Sequence, residues 1–167
     1  FDIDLKDWKI SVNQTTATLN NYTLPSLDYV ILCSSTEINQ FNSKKKTAPS
    51  RWPVITNSGA SMVLTSPQGV VSDALQFDLT KWGDQSFKED GGWSFEIIDQ
   101  SNRSGSAENW SFTGNLHGGT PAEINSNSAS NPDKKEPSIH YIKPIGGNSF
   151  KISFTEPVNI ELLRTQG

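Results

Sequence analysis

Gly91-Gly92-Trp93-Ser94-Phe95-Glu96-Ile97-Ile98-Asp99 is the stretch that decides how this chain is read. Trp93, Phe95 and Ile97 alternate with smaller or polar residues, which puts three large apolar side chains on one face of a strand. The glycine pair ahead of them marks backbone where a positive φ or a close approach excludes a Cβ. Working outward, Asp99 to Asn109 is a long polar loop, and Trp110-Ser111-Phe112 reads as one more strand. Gly118-Gly119-Thr120-Pro121 then terminates this part.

The same period of two recurs on either side. Ile3 and Leu5, then Trp8, Ile10 and Val12, predict an N-terminal strand or strand pair with one face inward. Tyr29-Val30-Ile31-Leu32-Cys33 is apolar without alternation, as suits a strand covered on both faces. Ser34-Ser35-Thr36-Glu37 has the spacing of a capping box and predicts one or two helical turns through Phe41. Met62-Val63-Leu64, a turn at Pro67-Gln68-Gly69 and a return over Val70 to Phe77 predict a hairpin. Residues 125–137, rich in Asn, Ser, Lys and Pro, read as a linker. Beyond it, Ile139 to Ile145, a Gly146-Gly147-Asn148 turn and Phe150 to Phe154 predict a C-terminal hairpin. Short strands at about 8–12-residue spacing with turn signals between them indicate an all-β sandwich or barrel.

Composition narrows the function classes. The chain has 167 residues, room for one ordinary domain or one domain plus a fragment. Charged residues are only 19%, which argues against long exposed helices, while 5 Trp and 8 Phe argue against disorder throughout. A net charge of -4 removes the overall basic field of most nucleic-acid binders, and no apolar run reaches the ~18 residues of a membrane span. The single cysteine, Cys33, excludes an internal disulfide or a Cys-based zinc cluster and reads as a small buried residue. With Phe at position 1, the expectation is a processed or excised chain whose targeting segment has gone.

From Ile3 to Ser126 the chain resembles the bacterial lamin tail domain. The pieces are Asp4-Leu5-Lys6-Asp7-Trp8-Lys9-Ile10, Leu24-Pro25, Tyr29 to Cys33, Asn57-Ser58-Gly59, Gly91 to Asp99, Asn109-Trp110, Gly118 to Pro121 and Asn125-Ser126. The resemblance implies an immunoglobulin-like β-sandwich with Greek-key connections, spanning residues 1–126. It implies an inner face built from Leu5, Trp8, Ile10, Val30, Leu32, Trp93, Phe95, Ile97 and Trp110. Residues 127–137 are then the linker, and 138–167 resemble the opening of a surface-layer-type Ig-like domain. Against the resemblance, the residues from Phe1 do not include the family's N-terminal hairpin, and 138–167 are expected to be too few to close a core of their own. The tail hairpin is therefore expected to act as edge strands of the sandwich, within one molecule or swapped between two copies in a homodimer. The implied location is extracytoplasmic: cell surface, periplasm or secreted.

Candidate chemistry is sparse. No Gly-x-Ser-x-Gly elbow occurs, and His117 and His140 read as loop and strand surface, so catalysis is not expected. Asp84, Glu89 and Asp90 share one acidic loop and Asp99 opens another. Either supplies part of an oxygen-rich calcium site, though neither has the regular spacing of a calcium loop. No cofactor is expected, with calcium the single candidate, and Asp99 has an alternative use in an Asx turn. Lys44, Lys45 and Lys46 with Arg51 form the one basic cluster, too small for useful nucleic-acid affinity. Trp52 and Trp82 lie in loops and are candidates for stacking on a glycan, while for Trp52, ahead of Pro53, the resemblance implies an alternative use as a plug at one end of the sandwich. The expected function is a non-catalytic interaction or spacer module presenting its loops to a protein or glycan. The alternatives are an accessory domain of a secreted hydrolase (nuclease or phosphatase) and a calcium-binding module similar to a convertase P domain.

Overall fold

The computed structural model describes residues 1–56, 58–78, 91–102, 107–155 and 158. Within them the chain is all-β, built from several small sheets, and its only helical turns are 3-10 turns at Ile38–Gln40 and Ala107–Asn109. The largest sheet comes from β2 (Lys9–Val12), β3 (Thr15–Thr18), β7 (Ala60–Thr65) and β8 (Val71–Phe77), in the order β3-β2-β7-β8. All its pairings are antiparallel. Two-stranded ladders pair β1 (Ile3–Asp4) with β4 (Thr23–Leu24) and, in parallel, β5 (Ile31–Leu32) with β6 (Lys46–Thr47). A third joins β9 (Phe95–Ile97) to β10 (Trp110–Phe112).

Alternation explains which side chains meet. Leu5, Ile10, Ala17 and Leu19 form a buried cluster, with Trp8, Tyr22, Leu24, Val30, Leu32 and Met62 packed against it. Burying such side chains is the main favourable contribution to folding, about 1.5–3 kcal/mol for each large one. Trp93, Phe95, Ile97 and Trp110 are half-buried. Phe95 stacks on Trp110 at 5.6 Å between ring centroids and meets Phe112 edge-on at 5.4 Å.

The local signals map onto real turns. The amide of Gly69 donates to the Ser66 carbonyl, closing the turn through Pro67. Ser34 Oγ accepts the Glu37 amide at 3.3 Å, but the Glu37 carboxylate accepts from Gln40 instead of returning to the Ser34 backbone. The expected capping box is thus half-formed, and one 3-10 turn follows it in place of an α-helix. Cys33 is buried.

The stretch read as a linker is in large part tied down. Asn125 donates to the Ile97 carbonyl, Asn127 to the Phe112 carbonyl, the Ala129 amide to the Ile98 carbonyl and the Asn131 amide to Asp99. The C-terminal hairpin is β11 (Ile139–Gly146) and β12 (Ser149–Phe154), joined at Gly147-Asn148. Those two strands pair with each other and with no other described strand. Edge pairing with the larger sheet, the expected role within one molecule, is absent among the described residues.

Candidate functional site

β9 has two polar centres, one at each end. Toward its start, Glu96 is only 4% exposed. Its Oε1 accepts from the hydroxyls of Ser94 and Thr120, both at 2.9 Å. Its Oε2 accepts the Ser126 amide at 3.0 Å and the Ser126 hydroxyl at 2.8 Å. Thr113, fully buried, bonds Ser126 Oγ in turn. Burial alone would push the Glu96 carboxyl up; hydrogen bonds from Ser126, Ser94, Thr120 and Thr113 outweigh it and hold the group below the ordinary glutamate range.

Glycine makes this enclosure feasible at one place. Gly118 has φ +86, and a Cβ there would lie 2.2 Å from the Gly92 carbonyl oxygen. The backbones approach so closely that the Ser94 amide reaches the Gly118 carbonyl at 2.7 Å. The surrounding cleft of about 400 Å³ is lined by Phe41, Phe95 and His117 among others. The hydrogen bonds to Glu96 come from Ser94, Thr113, Thr120 and Ser126 of the same chain, so the carboxylate acts as an internal clasp between β9 and the 113–126 segment.

At the other end, Asn109 is 1% exposed. Its Oδ1 accepts the Asp99 amide and its Nδ2 donates to the Asp99 and Asn102 carbonyls, so the side chain imitates a strand partner for Asp99. The Asp99 carboxylate accepts the Ser101 hydroxyl and amide and the Asn131 amide. These bonds, the Ser101 hydroxyl first, hold its carboxyl below the ordinary aspartate range. Asp99 is thus spent on an Asx turn and on anchoring residue 131.

The third feature is open to solvent. A cleft of about 570 Å³ lies between β8 and the β9–β10 ladder. Its lining includes Asp28, Tyr29, Asp73, Gln100, Asn102 and Trp110. Gln100 donates to Tyr29 Oη at 3.1 Å. Asp28 accepts its neighbour's amide and pairs with Lys45 at 2.6 Å, which holds the Asp28 carboxyl below and the Lys45 ammonium above their ordinary values. Half-buried rings beside carboxylates and amides make an amphipathic slot: apolar faces for stacking, acceptors and donors at its rim.

The described residues among those expected to bind have separate surroundings. Lys44 and Arg51 are exposed, Lys45 is engaged by Asp28, and Lys46 Nζ donates to the Phe41 carbonyl at 2.5 Å. Trp52 is half-buried beside Pro53, whose side chain is fully buried. Trp82, Asp84, Glu89 and Asp90 lie outside the described residues. Among the described residues no three His, Cys, Asp or Glu side chains come together as a metal site. No helix among them is long and apolar enough to cross a membrane. Tyr29 and Trp110 stood in the sequence as core or strand residues. What would have flagged them is their place beside the loops at 42–52 and 99–109, which the fold brings together through Lys45, Asp28 and Gln100.

Compared with known proteins, the chain matches no family model, no curated protein and no solved structure.

Proposed function

We propose that this chain is a non-catalytic, extracytoplasmic binding module that holds a glycan in the Tyr29–Trp110 cleft. The single observation that carries the reading is the composition of that slot: two half-buried aromatic rings with Asp28, Asp73, Gln100 and Asn102 around them. A sugar ring offers an apolar face to an aromatic and equatorial hydroxyls to carboxylates and amides, so the two chemistries fit. Glu96, the most deeply buried acid among the described residues, has its oxygens occupied by internal donors, which supports a structural use of the acid over catalysis.

In this reading the fold is an immunoglobulin-like sandwich of lamin-tail type, with β3-β2-β7-β8 in one layer and β9–β10 in the other. Leu75 of β8 and Ile97 of β9 lining one cleft supports two facing layers. A parent protein in which the module accompanies a secreted hydrolase is compatible with this role, since anchoring to a polysaccharide would serve such an enzyme.

The test is a screen of the chain against immobilised glycans and soluble polysaccharides, followed by titration calorimetry with Tyr29→Ala and Asp73→Ala. Saturable glycan binding weakened about ten-fold or more by Tyr29→Ala is the expected result, in line with the loss of one stacked ring. Binding indifferent to both substitutions, or the absence of any glycan ligand, overturns the reading.

A further inference from the structure

The hairpin β11–β12 is sharply two-faced. Its register pairs Ile142 with Ile152, Pro144 with Phe150 and Ile139 with Phe154 on one face, and Lys143 with Lys151 and Tyr141 with Ser153 on the other. Ile142, Phe150 and Ile152 are about half exposed, at 55%, 62% and 47%. A lone two-stranded hairpin is marginal in water, and three or more strands are ordinarily needed for a stable sheet. The two outer edges differ. β11 carries Pro144, which has no N–H, and register shifts on both sides of its central run. β12 has no proline and an unbroken register from Phe150 to Ser153. Among the described residues no strand lies on the outer side of β12, and its regular backbone makes it the edge that can accept another strand.

We propose that the β12 edge pairs antiparallel with β12 of a second copy of this chain, about a two-fold axis through Ile152. The sequence Phe150-Lys151-Ile152-Ser153-Phe154 is symmetric in pattern about its centre. With Ile152 opposite its own copy, Phe150 lies opposite Phe154 in both directions, and the apolar side chains of β12 stay on one face. Lys151 then lies opposite Ser153. A slip of one residue would set apolar positions against polar ones, inverting one copy's faces. Moving the axis to Lys151 would set two lysines directly opposite, a repulsive pair. Moving it to Ser153 leaves only three residues of β12 in register. Charge and pattern together therefore select one partner and one register. The product is a four-stranded sheet, β11-β12-β12-β11, whose apolar side chains cover one another across the new seam.

The experiment is sedimentation of the full chain over a concentration series, with four variants. Ser153→Glu places a carboxylate opposite Lys151 twice and tightens the dimer, whereas Ser153→Lys weakens it; the two differ by roughly ten-fold in dissociation constant. Ile152→Cys brings two Cα atoms to about 4.5–5.5 Å across the axis, within disulfide reach, and oxidises to a covalent dimer. Lys151→Cys, whose cross-axis neighbour is Ser153, does not cross-link under the same conditions. A chain monomeric at every concentration overturns the proposal, as does a hairpin whose edge is filled by the chain's own following residues. A dimer indifferent to both Ser153 variants, or one in which Lys151→Cys cross-links as readily as Ile152→Cys, overturns the register. Lys151 and Ile152 are exposed and Ser153 is half-buried, so the thermal transition of the rest of the chain serves as the folding control.

Discussion

The β9–β10 ladder and the β11–β12 hairpin are both antiparallel pairs, and the shorter one is the more firmly embedded. β9–β10 has three register pairs and β11–β12 has six. Yet Glu96 and Phe112 on the short ladder are buried, while every residue of β11 is exposed. Ladder length is therefore a poor guide to what holds a strand in place. Backbone hydrogen bonds exchange with water at modest net gain, about 1 kcal/mol each, whereas a covered strand adds packing and buried side-chain bonds. On β9 the cover is the 113–131 segment, drawn in by Glu96 at one end and by Asp99 and Asn109 at the other.

The comparison breaks first at Glu96. Glu96→Ala takes the acceptor from the half-buried Ser94 and Thr120 hydroxyls and from Ser126 and removes charge-assisted bonds made by a buried carboxylate, so destabilisation of about 3–4 kcal/mol is expected in chemical denaturation. The same carboxylate sets an acid limit. Its folded pKa lies below its unfolded value, so the unfolded chain binds more protons in the acid range. The stabilisation is complete above the ordinary glutamate range and is lost as pH falls through the lower folded value. Glu96→Gln should flatten that part of the stability–pH curve; an unchanged slope would show that the clasp contributes nothing.

The next largest effect belongs to Asn109. Asn109→Ala strips partners from the Asp99 amide and from two carbonyls at a wholly buried position, which predicts about 2–3 kcal/mol of destabilisation. Asn109→Leu, similar in volume, should cost no less, because the loss lies in unpaired backbone groups. Amide exchange would localise it: the Asp99 and Asn131 amides should lose protection before those of β2 and β7.

What could be read in advance was what neighbours in sequence determine. The Pro67-Gln68-Gly69 turn and the hairpin around Gly147-Asn148 each rest on a few adjacent residues, whereas the strand expected from Trp93 onward spans only Phe95–Ile97 and its buried member is Glu96. Glu96 was not legible. Flanked by Phe95 and Ile97 in an alternating strand, it reads as the outward, solvated face, and its burial depends on hydroxyls 24 and 30 residues away. The 125–137 stretch misleads for a related reason. Asn and Ser are the composition of a linker, but here their amides and hydroxyls are the groups that bond back to β9 and β10. The cleft at Tyr29 was hidden too, since its lining comes from four separate stretches of chain. Polar residues carry long-range information that hydrophobic periodicity does not register.

The smallest expected effect lies on the other side of the comparison. Lys143 and Lys151 face each other directly across the hairpin, both exposed. Like charges at that spacing are destabilising, and exchanging one for an acid converts repulsion into an exposed ion pair. Lys143→Glu should therefore stabilise the hairpin by about 0.5 kcal/mol at low salt, with the gain shrinking as ionic strength rises. Amide exchange on β11 and β12 reads this directly, because a marginal two-stranded ladder opens without unfolding the rest of the chain. Protection that rises in β11 and β12 alone would mark the hairpin as a separate cooperative unit. A parallel rise at Asp99 and Ile98 would mean that the hairpin shares the cover on β9, and the contrast between the two ladders would be one of degree.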